Sequence, residues 1–188
     1  MSTGDVAAPP ADVADAEQVA AYLKHKISAF PIAVMSRVDF VDVSPLLLDP
    51  AAFQFAINAL VHRYAAMDVT HIVSCESRGF IFGAPVALAL KAAFVPVRRA
   101  RKIPSSTVGI DYTSGFYSGR LEMQAEAIPA GARVVIIDDF VATGNTLKVI
   151  GELIQLVGGH PVECGCVISS ARMQESSQGI PVHALMTV

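Results

Sequence analysis

Cysteine is scarce, with three in 188 residues. Cys75, Cys164 and Cys166 are odd in number, lie in apolar stretches and include no Cys-x-x-Cys. They read as reduced core thiols of a cytosol-like compartment. Cys164 and Cys166 fall on one strand face, so a metal pair there is the alternative reading. Charge is sparse as well: charged residues make up 16% of the chain and the net charge is −3. With a pI near 5.9, this is not the electrostatic footprint of a general nucleic-acid binder. No apolar run approaches the roughly 18 residues that span a bilayer. "GAPVALALKAAFVPV" comes closest, and Lys91 interrupts it. The N-terminus shows no basic segment followed by an apolar one, and "ALMTV" matches no retrieval or peroxisomal signal. A cytoplasmic protein with no membrane and no nucleic-acid partner is expected. No repeat and no second domain is visible.

Apolar residues are abundant, at 53%. That excess suggests strands buried on both faces, and an apolar patch buried between subunits. Met1 to Val13 is rich in Ala, Pro, Gly and Asp, so residues 1–14 read as a mobile tail and 15–188 as one domain. Val19, Tyr22, Leu23, Lys26, Ile27 and Phe30 share one helix face behind an Asp15 cap, and Pro31 ends that helix. "VDFVDVSPLLLDP" reads as a loop. Asp49-Pro50 starts a second helix, with Phe53, Ile57, Leu60, Val61 and Tyr64 as its buried stripe. "THIVSCE" is a strand, "FGAPVALALKAA" a helix and "AFVPVRRA" a strand. That is a βαβ unit and implies a parallel sheet. Residues 101–119 are the least regular interior stretch and read as a functional loop, a lid. "RLEMQAEAI" is a candidate strand. "ARVVIIDD" is a buried strand, "TLKVIGELIQLVGG" a helix closed by Gly158-Gly159, and "PVECGCVISS" and "PVHALMTV" are the last strands.

The informative stretch is "VVIIDDFVATGNTL". Asp138 and Asp139 end a buried strand, where an open α/β sheet binds its ligands. Paired carboxylates there suit the vicinal hydroxyls of a ribose, or a Mg²⁺ bound to that sugar. Ala142, Thr143, Gly144, Asn145 and Thr146 then lead into a helix. Backbone amides and two hydroxyls at that position make a phosphate cradle. The bland alternative is an acidic turn before a capped helix.

"VVIIDDFVATGNT" resembles the phosphoribosyl-diphosphate (PRPP) signature of type I phosphoribosyltransferases. "ESRGFIFGAPVALAL", "VPVRRARKIP" and "FVDVSPLLLDP" are similar to the adenine phosphoribosyltransferase family, in the same order and at matching separations. The resemblance runs from about Ala16 to the C-terminus. It implies the type I fold, a mostly parallel sheet flanked by helices with a flexible lid and a small N-terminal hood. It implies condensation of adenine with PRPP to AMP and pyrophosphate, Mg²⁺ as cofactor, and a homodimer. Asp138, Asp139 and Ala142 to Thr146 would hold ribose and 5′-phosphate. Glu76, Ser77 and Arg78 match the turn that holds pyrophosphate, with a strained non-proline peptide expected between Glu76 and Ser77. Arg98 and Lys102 match basic residues that reach pyrophosphate. Read alone, Arg98, Arg99, Arg101 and Lys102 are a solvated basic run. The metal would be held mainly through PRPP, with Asp138 and Asp139 as protein ligands.

Two departures fall on the base site. The family lid carries Tyr-x-x-Glu-Tyr-Gly, whose glutamate handles the proton at purine N7. Here the run is "YTSGFY": Tyr112 matches, Gly115 replaces the glutamate and Phe116 the second tyrosine. Glycine does no acid/base work. In "FVDVSP" the family has an arginine after the phenylalanine, and Val41 follows Phe40 here. Three readings are open. The first is a working adenine enzyme in which Asp111, Tyr117 or Glu122 replaces the lid glutamate. The second is a transferase for another base. The third is a non-catalytic paralogue that binds PRPP or AMP, or partners an active subunit in a hetero-oligomer. An RNA-binding regulator is a further class, opposed by the acidic pI.

Overall fold

The computed structural model describes residues 8–10, 12–28, 34–35, 38–39, 42–114, 117–171 and 179–188. Helix α1 (Ala16–Ser28) buries Val19, Tyr22, Leu23 and Ile27 on one face. Asp15 caps it, accepting from the amides of Glu17 and Gln18. A two-stranded antiparallel pair, β1 (Val34–Met35) and β2 (Val38–Asp39), follows. The predicted loop around Pro45 contains one helical turn, α2 (Ser44–Leu47), because proline suits a first helical turn. Helix α3 (Pro50–Tyr64) starts as read: Asp49 Oδ1 accepts from the amides of Ala51 and Ala52. Of the predicted stripe, Ile57, Leu60 and Tyr64 are buried, whereas Phe53 and Val61 are only half-buried; Ala52, Phe55, Ala56 and Ala59 complete the buried face.

The βαβ unit is present as β3 (His71–Cys75), α4 (Arg78–Leu90) and β4 (Ala93–Arg99). Helix α4 begins one turn earlier than predicted, at Arg78, and carries Pro85 inside it. The lost amide of Pro85 leaves the Ile81 carbonyl without its helical donor, at a residue on the exposed side. Residues 101–119 are not a long loop. β5 (Thr107–Ser114) and β6 (Tyr117–Gln124) pair antiparallel as a ribbon. Then come β7 (Arg133–Val141), α5 (Asn145–Leu156), β8 (His160–Ser169) and β9 (Val182–Thr187). The seven-stranded order is β5-β6-β4-β3-β7-β8-β9. The five strands from β4 to β9 in that order are parallel, and the ribbon joins antiparallel to β4.

Sheet faces explain the two cores. Val135 and Ile137 face α1, α3 and α4, whereas Val134 and Ile136 face α5. On the first side a buried polar pin ties α3 to β8. Glu163 accepts from Tyr64 Oη at 3.0 Å and from Arg63 Nε and Nη2 at 3.0 and 2.7 Å. Burial raises the Glu163 carboxyl, but Arg63 and Tyr64 outweigh it and hold it below its ordinary value. A lowered carboxyl contributes stability above the ordinary carboxylate range, and that contribution is lost as pH falls through the lowered value. Tyr64→Phe is therefore expected to cost about 2 kcal/mol at pH 7, the scale of a hydrogen bond to a charged group. The cost should shrink in acid, and urea unfolding at pH 7 and pH 3 measures both.

Candidate active site

Three chain segments meet beyond the carboxyl ends of β3 and β7 and enclose a cavity of about 340 Å³. The first is the acid pair. By alternation, Asp138 follows Ile136 and Asp139 follows Ile137 onto opposite faces. The alternation then breaks, because Phe140 packs with Val135 and Ile137. Both carboxylates line the cavity. Asp138 Oδ1 accepts from the Asp139 amide at 3.0 Å. Gly79 permits this approach: a β-carbon there would lie 2.9 Å from Asp138 Oδ1.

The pair is electrically asymmetric. Asp139 is 2% exposed, and Arg78 Nε lies 3.2 Å from its Oδ2 in an ion pair without hydrogen-bond geometry. Burial raises its carboxyl and Arg78 opposes that rise. Asp138 sits beside Cys166 on the paired strand β8. Burial holds its carboxyl well above the usual range, and the Asp139 charge adds to the effect. Burial disfavours the thiolate of the cysteines nearby: it pushes Cys75 up to about 12 and raises Cys164 and Cys166.

The second segment is the run from Ala142 to Thr146, all of which lines the cavity. Gly144 takes φ +74° at the N-cap of α5, a left-handed conformation that favours glycine. Gly144 has no side chain with which to cap this helix. Its N-terminal dipole faces the cavity and favours an anion there.

The third segment is the turn from Glu76 to Gly79, whose Glu76–Ser77 peptide is cis. The sequence comparison expected an unusual non-proline peptide at that bond. Glu76, Ser77 and Arg78 all line the cavity. The Glu76 carboxylate, however, is already engaged, by the Arg99 amide at 2.9 Å and Arg98 Nε at 3.0 Å. Arg98 and Lys102 do not line this cavity, whereas Arg99 does. Alternation explains the difference, since Arg99 shares the strand face of Val95 and Val97. Arg98 points to the other face and donates from Nη1 to the Lys102 carbonyl at 3.0 Å. The strand pattern "VPVRR" carried that signal, and the sequence reading passed over it.

Two of the proposed lid substitutes lie away from the acid pair. Asp111 and Glu122 lie off the cavity, each bonded to Arg120 at 3.2 Å. Strand alternation puts them on the ribbon face opposite Tyr112, which does line the cavity. Tyr117 opens β6, but its side chain lies outside the description, as do Phe40, Val41, Gly115 and Phe116. Among the described residues no group of three or more His, Cys, Asp or Glu could hold a metal. The two adjacent carboxylates fit a hard cation that brings most of its ligands as water and phosphate oxygens. They do not fit a metal held by protein alone.

The chain is similar to known proteins over most of its length. The family model for the phosphoribosyl transferase domain matches residues 49–183. Adenine phosphoribosyltransferase of Desulfosudis oleivorans is 44% identical over 166 residues, covering 87% of this chain and 96% of the relative. Adenine phosphoribosyltransferase 4 of Arabidopsis thaliana is 39% identical over 87% of this chain and 91% of its own. Among solved structures, adenine phosphoribosyltransferase of Rhodothermus marinus superposes with a TM-score of 0.82 at 33% identity, covering 92% and 99% of the two chains. The Saccharomyces cerevisiae enzyme, solved with an imino-altritol bisphosphate and adenine, gives 0.81 at 33% identity, covering 90% and 99%. With the acid pair, the loop from Ala142 to Thr146 and the arginine turn on one cavity, the chain belongs to the adenine phosphoribosyltransferase family, on the type I phosphoribosyltransferase fold.

Proposed function

We infer that the protein transfers the phosphoribosyl group of PRPP to adenine, giving AMP and pyrophosphate. One observation carries the reading: the acid pair, the amide-rich loop and Arg78 line a single cavity in a chain of this family. Ala142 to Thr146 and the α5 dipole take the 5′-phosphate. Asp138 and Asp139 take the ribose hydroxyls. The bond from ribose to pyrophosphate loosens, the sugar becomes oxocarbenium-like, and a ring nitrogen of the base attacks the opposite face while the ring proton it sheds is taken up by the departing pyrophosphate. Arg78 stabilises the charge that builds on the leaving pyrophosphate. Arg99 adds a second guanidinium at the same cavity, suited to phosphate oxygens. When bound, Mg²⁺ would neutralise diphosphate charge, with Asp138 and Asp139 the residues placed to hold it. Tyr112 contributes an aromatic wall and excludes water, which would otherwise capture the cationic sugar.

The same reading takes the protein as a cytoplasmic homodimer. Its high apolar content supports a buried interface, and no described helix is long and apolar enough to cross a membrane. Sedimentation showing only monomer at micromolar protein would remove the dimer. The catalytic test is pyrophosphate release with PRPP, Mg²⁺ and adenine, beside hypoxanthine and guanine. Release that depends on adenine is expected. PRPP binding by calorimetry without release for any base would instead mark a non-catalytic paralogue. Rescue by Gly115→Glu would then locate the lesion.

A further inference from the structure

The basic run that leaves β4 is held by two carboxylates from different strands. Glu76, after β3, accepts the Arg99 amide on Oε1 at 2.9 Å and Arg98 Nε on Oε2 at 3.0 Å. Glu122, on β6, accepts the Arg101 amide on Oε2 at 3.1 Å and Arg120 Nε on Oε1 at 3.2 Å. The amide between them, Ala100, donates to the Arg120 carbonyl at 3.0 Å. Three successive amides are thus taken, and the Arg98 bond to the Lys102 carbonyl closes the turn. Arg101 sits at φ +65°, a left-handed conformation rare for a side chain of that size.

Isolated surface ion pairs contribute little. These carboxylates differ: their side chains are only 15% and 13% exposed, and each fixes a backbone amide as well as a guanidinium. The arrangement reaches from the cis turn at Glu76 to the ribbon, with Arg99 between them entering the cavity. Glu122 has both oxygens engaged on the face away from the cavity.

We propose that Glu76 and Glu122 are paired positioning residues that clamp the turn at 98–102, fix the direction in which Arg99 enters the cavity, and tie the β5–β6 ribbon to the pyrophosphate turn. The inference rests on the transferase reading above. Loss of either carboxylate loosens the grip on the diphosphate of PRPP and leaves binding of the base unchanged.

The test is steady-state kinetics of Glu76→Ala, Glu76→Gln, Glu122→Ala and Glu122→Gln, with PRPP affinity measured in parallel by calorimetry. Each alanine variant should raise the KM and Kd for PRPP about tenfold, the scale of a misplaced binding group. The kcat should stay within about threefold and the adenine KM should not move. Glutamine keeps an acceptor for the amide, so it should recover most of the loss. If an alanine variant does not fold, Glu76→Asp and Glu122→Asp replace it, because the shorter side chain keeps the charge but cannot reach the amide. Unchanged PRPP KM and Kd in folded alanine or aspartate variants would overturn the proposal. So would a Glu122→Gln variant that loses kcat with its PRPP KM intact, since that marks a proton carrier. A parent chain that releases no pyrophosphate would sink the transferase reading instead, and calorimetry would still read the clamp.

Discussion

Asp138→Asn is expected to melt at a higher temperature than the parent chain and to lose about a hundredfold or more in kcat/KM, the scale of removing one preorganised electrostatic partner of the reacting group. The two effects have one cause. Asp138 lies against apolar strand residues and beside a second carboxylate, with the nearest assigned cation, Arg78, on Asp139. Its carboxyl is therefore held well above the ordinary value of 3.8. For a raised carboxyl the native state binds the proton more tightly than the unfolded state. The stability that the proton confers is present below the ordinary value and is lost as pH rises through the raised one. An asparagine has no proton to lose, and its carbonyl can still accept the Asp139 amide. Melts without PRPP or Mg²⁺ should thus favour the variant, with a gap that widens as pH rises above the ordinary carboxylate value. A variant that melts below the parent at pH 8 would show that the dyad is not under charge stress. Full activity in the same variant would remove Asp138 from the ribose site.

Arg78→Met should be the most damaging single change in the cavity. It takes away the cation at the pyrophosphate turn and leaves Asp139, 2% exposed, without its ion-pair partner. A fall of about a thousandfold in kcat/KM is expected for losing a charge aimed at the leaving group. Arg78 is itself 41% exposed, so the stability cost is set between those of surface and buried pairs, at about 1–2 kcal/mol. Arg78→Lys should recover the stability more than the rate, because a lysine supplies charge but not the guanidinium fork. Adding Asp139→Asn to Arg78→Met removes the stranded charge. It should restore the melting temperature and leave the rate low. Recovery of both would mean that Arg78 serves Asp139 alone and never touches pyrophosphate.

How far the site was readable follows from how far apart its parts lie in the chain. The Asp138-to-Thr146 cradle was legible because strand, turn and helix cap follow one another within a dozen residues. Each obeys a local rule: apolar run, glycine at positive φ, helix start. The Asp49-Pro50 start of α3 and the Gly158-Gly159 end of α5 were legible for the same reason. The ribbon was not. Its glycines and hydroxyls look like loop, and β5 becomes a strand only because β6 supplies hydrogen-bonding partners along its length. Burial on the second core, where Val108, Ile110 and Tyr112 pack, supports that pairing.

The sequence by itself determined the parallel α/β frame, the acid pair at the end of its central strand and the phosphate loop behind it. Periodicity and turn chemistry act over a few residues, and they needed no partner. Only the tertiary structure decided that Asp111 and Glu122 turn away from this cavity and that Glu76 braces the basic turn. Those outcomes depend on bonds such as Glu76 to Arg99 and Glu122 to Arg101, between residues 23 and 21 positions apart. A carboxylate has no partner until the sheet has brought distant strands to hydrogen-bonding distance, and the residue it then meets is set by strand register, which no local pattern encodes.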